Sequence, residues 1–370
     1  MVKIPEILKT ISGEKVSSVE TWERFRRNEI LNLFCEYVYG VRDIERPENL
    51  SFVLKEERME YGMRVKEIDA AFDDYSFPFK VYLPKESDRP VPVFVYVMHE
   101  NLENKMVFDE EGNMSSEELA SELPLADITK RGYAVAVMPT KSIYLDWYHH
   151  ADFKQGVFTA VKNPKGRQKN SWATISAWAW GVSRVIDYLE TDSDIDSSKI
   201  ASIGHSRSGK TALWAAATDS RICLAVPNNS GCMGASVLRG KKGEQAKNIS
   251  VTDWFCDKFR EYSESVDFLP VDQHMLLALM APRYVYVTSS SRDDWADPDA
   301  EFLSARLASE IFELYGLKGL VVPTERPEID KVYQEGHIAY HVKEGDHSQT
   351  RFDWEQAMDY FDRICADNES

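Results

Sequence analysis

The sequence predicts a three-layer α/β architecture, with a mainly parallel sheet and helices on both faces. Two observations carry that expectation. Short apolar runs recur along the chain, and segments of helical spacing separate them. Residues 92–98 read PVFVYVM between Pro90 and the polar His99-Glu100-Asn101, as a strand buried on both faces would. Runs at 134–138, 200–203, 222–226, 284–288 and 338–342 behave alike. Helical candidates fall at 117–131, 171–190, 208–218, 272–280, 299–315 and 353–366. Strands alternating with helices in this way give a parallel or mixed sheet covered on both sides.

Ahead of the alternation, residues 20–38 place Trp22, Phe25, Ile30, Leu31, Phe34 and Val38 at helical spacing. Residues 62–70 and 76–83 suggest a hairpin that opens the sheet. At 370 residues the chain is long enough for one large domain or two ordinary ones. No Gly/Ser/Pro linker divides it. The expectation is a helical extension over 1–60 followed by one α/β domain over 61–370.

Charge and composition narrow the function. The 44 Lys+Arg and 61 Asp+Glu leave a net charge of −17, with no basic block, which argues against nucleic acid and anionic membrane surfaces. No stretch approaches the length of a membrane span. The start, Met1-Val2-Lys3-Ile4-Pro5-Glu6, lacks the apolar run of a signal peptide. Cys35, Cys223, Cys232, Cys256 and Cys365 are scattered, odd in number and free of any CxxC pair. That reads as reduced thiols in a cytoplasmic protein, with no disulfide framework and no zinc site.

The most informative segment runs from Lys199 through Gly204-His205-Ser206-Arg207-Ser208-Gly209-Lys210-Thr211. It reads as strand, tight turn and helix, and two chemistries compete for it. Gly204, Gly209, Lys210 and Thr211 fit a phosphate-cradling P-loop. The same residues fit a nucleophile elbow, with Ser206 exposed at the helix N-terminus and Ser208 standing where a second glycine belongs. A P-loop usually opens its domain, and this turn follows at least four sheet-like segments. The order of partners favours the elbow. Asp293 and Asp294 follow one strand, and His347, in Gly345-Asp346-His347-Ser348, follows the last. Serine, acid, histidine is the chain order of the α/β-hydrolases. His347 would take the Ser206 proton and the acid would orient it.

Gly204-His205-Ser206-Arg207-Ser208-Gly209-Lys210 resembles the G-C-S-R-x-G-K motif of the glucuronoyl esterases, carbohydrate esterase family 15. Residues 172–189 (WATISAWAWGVSRVIDYL), Asn228-Asn229-Ser230-Gly231-Cys232, Val271-Asp272-Gln273-His274 and Trp295-Ala296-Asp297-Pro298 resemble its bacterial branch and neighbours labelled acetyl xylan esterase. The likeness is strong over about 170–365. It implies an α/β-hydrolase that cleaves the ester between glucuronic acid on xylan and lignin alcohols, without a cofactor. It also implies Ser206 as nucleophile, His347 as base and Arg207 at the oxyanion, with Lys210 and Trp295 at the sugar. Generic hydrolase spacing to Pro298 favours Asp294 as the acid, whereas alignment through Trp295 favours Asp293. The glutamate that some members carry after the preceding strand is absent, since that loop reads Asn228-Asn229-Ser230-Gly231. His205 replaces the family's cysteine. With the absent leader, this points to imported oligosaccharides, and to acetyl or methyl esters as much as lignin esters.

Other features have plainer readings. His149-His150 are adjacent, so they share no helix face for a metal and read as solvated loop. His274 reads as a helix cap, with Gln273 beside it within reach of a ligand. Trp172, Trp178 and Trp180 read as core, Trp172 alone being placed to line a sugar site. The aromatic loop 144–148, Trp254-Phe255 and the backbone at His99-Glu100 are further candidates to face substrate.

Overall fold

A computed structural model describes residues 3–99, 122–146, 152–161 and 166–367. The chain forms a ten-stranded sheet in the order β1-β2-β3-β5-β4-β6-β7-β8-β10-β9. Its strands are β1 Ser51–Glu60, β2 Met63–Phe72, β3 Tyr75–Leu83, β4 Val91–Met98, β5 Ala134–Pro139, β6 Ile195–His205, β7 Ile222–Asn228, β8 Tyr284–Ser290, β9 Val332–Tyr333 and β10 Ile338–Lys343. Pairing is antiparallel from β1 through β2 and β3 to β5, and parallel across β5, β4, β6, β7, β8 and β10.

The apolar runs are continuous because both sheet faces are covered. On β4, Val93, Val95 and Val97 enter one buried cluster while Phe94, Tyr96 and Met98 enter the other. The first cluster packs under α3 Thr174–Leu189, α4 Arg207–Thr218, α5 Gln273–Ala278 and α6 Pro298–Leu314; the second under α2 Leu125–Lys130 and α7 Arg351–Asp367. This is the three-layer α/β-hydrolase arrangement. Of the helix expected over 117–131, residue 122 and α2 Leu125–Lys130 are helical, 123–124 are not, and 117–121 lie outside the described residues.

Two expectations change at the N-terminus. Residues 1–60 are not a helical extension: β1 pairs along its length with β2 inside the main sheet. Helix covers 19–39 in consecutive stretches, Val19–Thr21, Trp22–Arg26, α1 Arg27–Phe34 and Cys35–Tyr39. The second and fourth are π-helical. Of the residues expected on the buried face, Trp22, Ile30, Phe34 and Val38 are buried and Leu31 is half-buried, but Phe25 is exposed and Arg26 is buried in its place. A strict four-residue step needs more than 3.6 residues per turn, which the π turns supply. Tyr39 ends this segment with its ring stacked 4.0 Å from that of Trp214 on α4, and its hydroxyl donates to Met233 O at 2.9 Å.

Candidate active site

The turn between β6 and α4 holds Ser206 at φ 57°, ψ −122°, a strained conformation for a residue with a side chain. Backbone bonds fix it: Ser206 N donates to Asn228 O at 2.9 Å, and Lys210 N to Ser206 O at 3.1 Å. Space explains the flanking residues. A Cβ on Gly204 would lie 2.5 Å from Ser208 O, and one on Gly209 2.8 Å from Gly204 O and 3.0 Å from Asn228 O. Glycine is therefore demanded at 204 and 209, whereas Ser208 fits, buried.

The histidine and one carboxylate meet as a pair. His347 Nδ1 donates to Asp293 Oδ2 at 2.5 Å. Asp293 is buried, and it also accepts from Asn229 Nδ2 at 3.1 Å and Ala296 N at 3.1 Å. Burial pushes this carboxyl up, but the bond and charge of His347 outweigh it and hold the group below the usual range. Asp294 is exposed, and of the two candidate acids the structure pairs Asp293 with the base.

Buried ionic groups hold the loop that carries His347. Lys343 Nζ donates to Ser348 O at 2.7 Å, and Asp353 accepts from Thr350 N at 2.7 Å. His341 Nε2 bonds the same aspartate at 2.9 Å. Burial pushes Asp353 up, yet the bond from His341 and the charge of Lys343 bring it down to about 2. His205 packs on the base, ring centroids 4.5 Å apart, with Nδ1 donating to Asn228 Oδ1 at 2.6 Å. Burial, and then the neighbouring His347, lower His205 to about 3, so it is a neutral wall.

Beyond the serine, Arg207 Nη1 donates to Asp146, which also accepts from Trp254 Nε1 at 2.7 Å. The Arg207 guanidinium sits over the Trp254 ring, 5.0 Å from its centroid. Burial pushes Asp146 up, but the donors around it, His99, Arg207 and Trp254, keep it low. Lys210 Nζ is buried, donating to Ser230 O at 2.7 Å and lying 3.7 Å from Glu244. Glu244 accepts in turn from Trp295 Nε1 at 3.0 Å, and Trp295 is 54% exposed. The P-loop reading fails on this geometry. The lysine it needs is turned to a carbonyl, and Thr211 Oγ1 donates back to Arg207 O at 3.0 Å.

Gln273, expected to contact substrate, is fully enclosed, with its amide nitrogen on Gly234 O at 2.7 Å. It opens α5, whose residues are all buried, so it braces the 231–236 loop. Asp272, not His274, caps that helix, and His274 Nε2 meets Pro5 O at 3.0 Å. Trp172 is fully buried against Phe158 and lines no exposed site. Glu100, His149, His150, Trp147 and Tyr148 lie outside the described residues. Asp146 and Glu244 had no motif of their own; only their partners reveal them. Among the described residues, no three His, Cys, Asp or Glu side chains converge to hold a metal ion. Nor is any described helix long and apolar enough to cross a membrane.

A strained serine at a strand-to-helix turn, a carboxylate-oriented histidine and an arginine beside the serine define a carboxylic ester hydrolase of the α/β-hydrolase class. Comparison with known proteins narrows the class. Carbohydrate esterase MZ0003, from an unknown prokaryotic organism, is 34% identical, covering 97% of this chain and 89% of its own. A family profile described as "Glucuronyl esterase, fungi" matches residues 149–316. The structure of a glucuronoyl esterase from Solibacter usitatus superposes with a TM-score of 0.87 at 31% identity, covering 97% of both chains. A structure described as a promiscuous esterase of the same family, from a marine bacterial metagenome, gives 0.86 at 33%, covering 98% of this chain and 97% of that one. The chain belongs to carbohydrate esterase family 15, the glucuronoyl esterases.

Proposed function

We propose that this protein hydrolyses esters of glucuronic acid borne on xylan-derived sugars, through a covalent acyl-enzyme on Ser206. The observation that carries the proposal is the His347–Asp293 pair beside the strained Ser206 turn, in a chain similar to glucuronoyl esterases over nearly its whole length.

Ser206 Oγ attacks the ester carbonyl carbon while its proton passes to His347 Nε2. Asp293 holds the imidazole tautomer and stabilises the imidazolium. The carbonyl oxygen becomes an oxyanion facing the helix N-terminus, where the Arg207 N–H and guanidinium stabilise it. On collapse the alcohol leaves with the histidine proton. Water then donates a proton to His347, its oxygen attacks the acyl carbon, and Ser206 recovers its proton as the uronic acid departs. Trp295 offers an exposed ring for a sugar face, and Glu244 lies at its edge as a hydroxyl partner, with Lys210 buried behind it.

Acetyl esters on oligosaccharides form a second reading, favoured by the description of a similar structure as promiscuous. A two-substrate assay separates the readings. Cleavage of benzyl glucuronate is expected; cleavage of acetylated xylo-oligosaccharides with benzyl glucuronate untouched would overturn the uronate assignment.

A further inference from the structure

Each cation in the first turn of α4 has a carboxylate partner. Arg207 is bound to Asp146, whose side chain is only 4% exposed, and Lys210 faces Glu244 across 3.7 Å. Cations at a helix N-terminus are opposed by the helix dipole, so each carboxylate offsets an unfavourable placement. It also removes the local positive charge that an anionic ligand would seek. Lys241, the next lysine along, is held by the carbonyls of Lys242 and Glu244 at 2.6 Å each. The paired groups together with Asp293 amount to two cations against three carboxylates, with His99 3.6 Å from Asp146.

Substrate and product differ in the property that such a site reads. A uronate ester is uncharged at its carbonyl, whereas the hydrolysed uronate carries a full negative charge there. We infer that Asp146 is a specificity-determining positioning residue: by neutralising Arg207 it lets the site take the uncharged ester and shed the anionic acid. This inference rests on the glucuronoyl-ester reading. The oxyanion of the transition state is held by directed hydrogen bonds, which need the guanidinium in one place, and Asp146 and Trp254 supply that place. Asp146 therefore favours turnover by orientation and disfavours the product by charge.

The two effects move apart in Asp146→Asn, which keeps the shape and one acceptor oxygen. Free glucuronate is titrated as an inhibitor of 4-nitrophenyl acetate hydrolysis, alongside benzyl glucuronate turnover. The inhibition constant is expected to fall about tenfold (~1.4 kcal/mol) while kcat on benzyl glucuronate also falls. Simple loosening of the site would weaken both, so a constant that stays or rises overturns the inference. Asp146→Glu should restore the original constant. The unaltered protein offers a test free of folding effects: glucuronamide should inhibit more strongly than glucuronate, and the reverse order overturns the inference. If the unaltered protein turns over benzyl glucuronate and these constants fail, only the inference falls. If that turnover is absent, the ester reading falls and takes the inference with it.

Discussion

Asp293 and Asp294 are neighbours in sequence, yet only the first reaches His347. Which aspartate turns inward depends on how the loop after β8 closes over Ala296 and Asp297, and no spacing rule reports that. Asp293→Asn is expected to lower kcat on the order of 10³-fold or more, because the amide favours the wrong imidazole tautomer. Asp294→Asn, at an exposed position, should stay within about twofold. Steady-state kinetics on one substrate checks both. Glu301 is the other informative residue. It is fully buried, accepting from Gly231 N at 2.8 Å and Ser289 Oγ at 2.6 Å, and so ties the loop after β7 to the end of β8. Burial pushes it up to about 7. Its folded pKa thus lies above its unfolded one, near 4.5. The stability this gives is full below about pH 4.5 and is lost as pH rises through about 7, a span of about 3 kcal/mol. Glu301→Gln should remove that slope, read as the difference in urea unfolding free energy between the two proteins from pH 5 to pH 8. A parallel pH dependence in both would show that Glu301 does not titrate there.

At the scale of elements, the elbow and the parallel strands were legible for one reason: their signals are local. A strand covered on both faces must be apolar throughout, and a turn that places Ser206 at positive φ must have glycine where backbone crowds it. The sequence placed the glycines at 204 and 209, and the structure shows what each would strike. Gly209→Ala should cost about 1–3 kcal/mol by overpacking against Gly204 O and Asn228 O, together with most activity. Urea midpoints and turnover check it; an unperturbed midpoint would mean the turn relaxes. The helix over 19–39 was legible in existence and in most of its buried face, Trp22, Ile30, Phe34 and Val38, with Phe25 misplaced and Arg26 missed. Its π turns rotate Phe25 outward, and nothing in an α-periodic reading signals a residue step of four. The enclosure of Gln273 was equally hidden, since it depends on a loop 39 residues upstream in sequence.

At the scale of the whole molecule, residues 3–60 contribute to the main core and to the sheet, although their sequence suggested an appendage. Tyr39 lies on Trp214, a residue of the helix that starts at the nucleophile, so the first segment buttresses the last turns of α4. Tyr39→Ala is expected to destabilise the entire fold by about 3–5 kcal/mol in one cooperative transition. Loss confined to an early minor transition would show the segment to be separate. The net charge of −17 belongs to this scale too, and it gives an acidic sugar no attraction at long range. Discrimination has to arise locally, at the residues that flank Ser206, where Arg207 is paired with Asp146. The central claim is that Ser206 is the nucleophile of a glucuronoyl-ester hydrolase. The most direct measurement is the rate of benzyl alcohol release from benzyl glucuronate by Ser206→Ala beside the unaltered protein, with matching urea midpoints. The account expects a fall on the order of 10⁴-fold or more; a rate retained within about tenfold in the folded variant would contradict it.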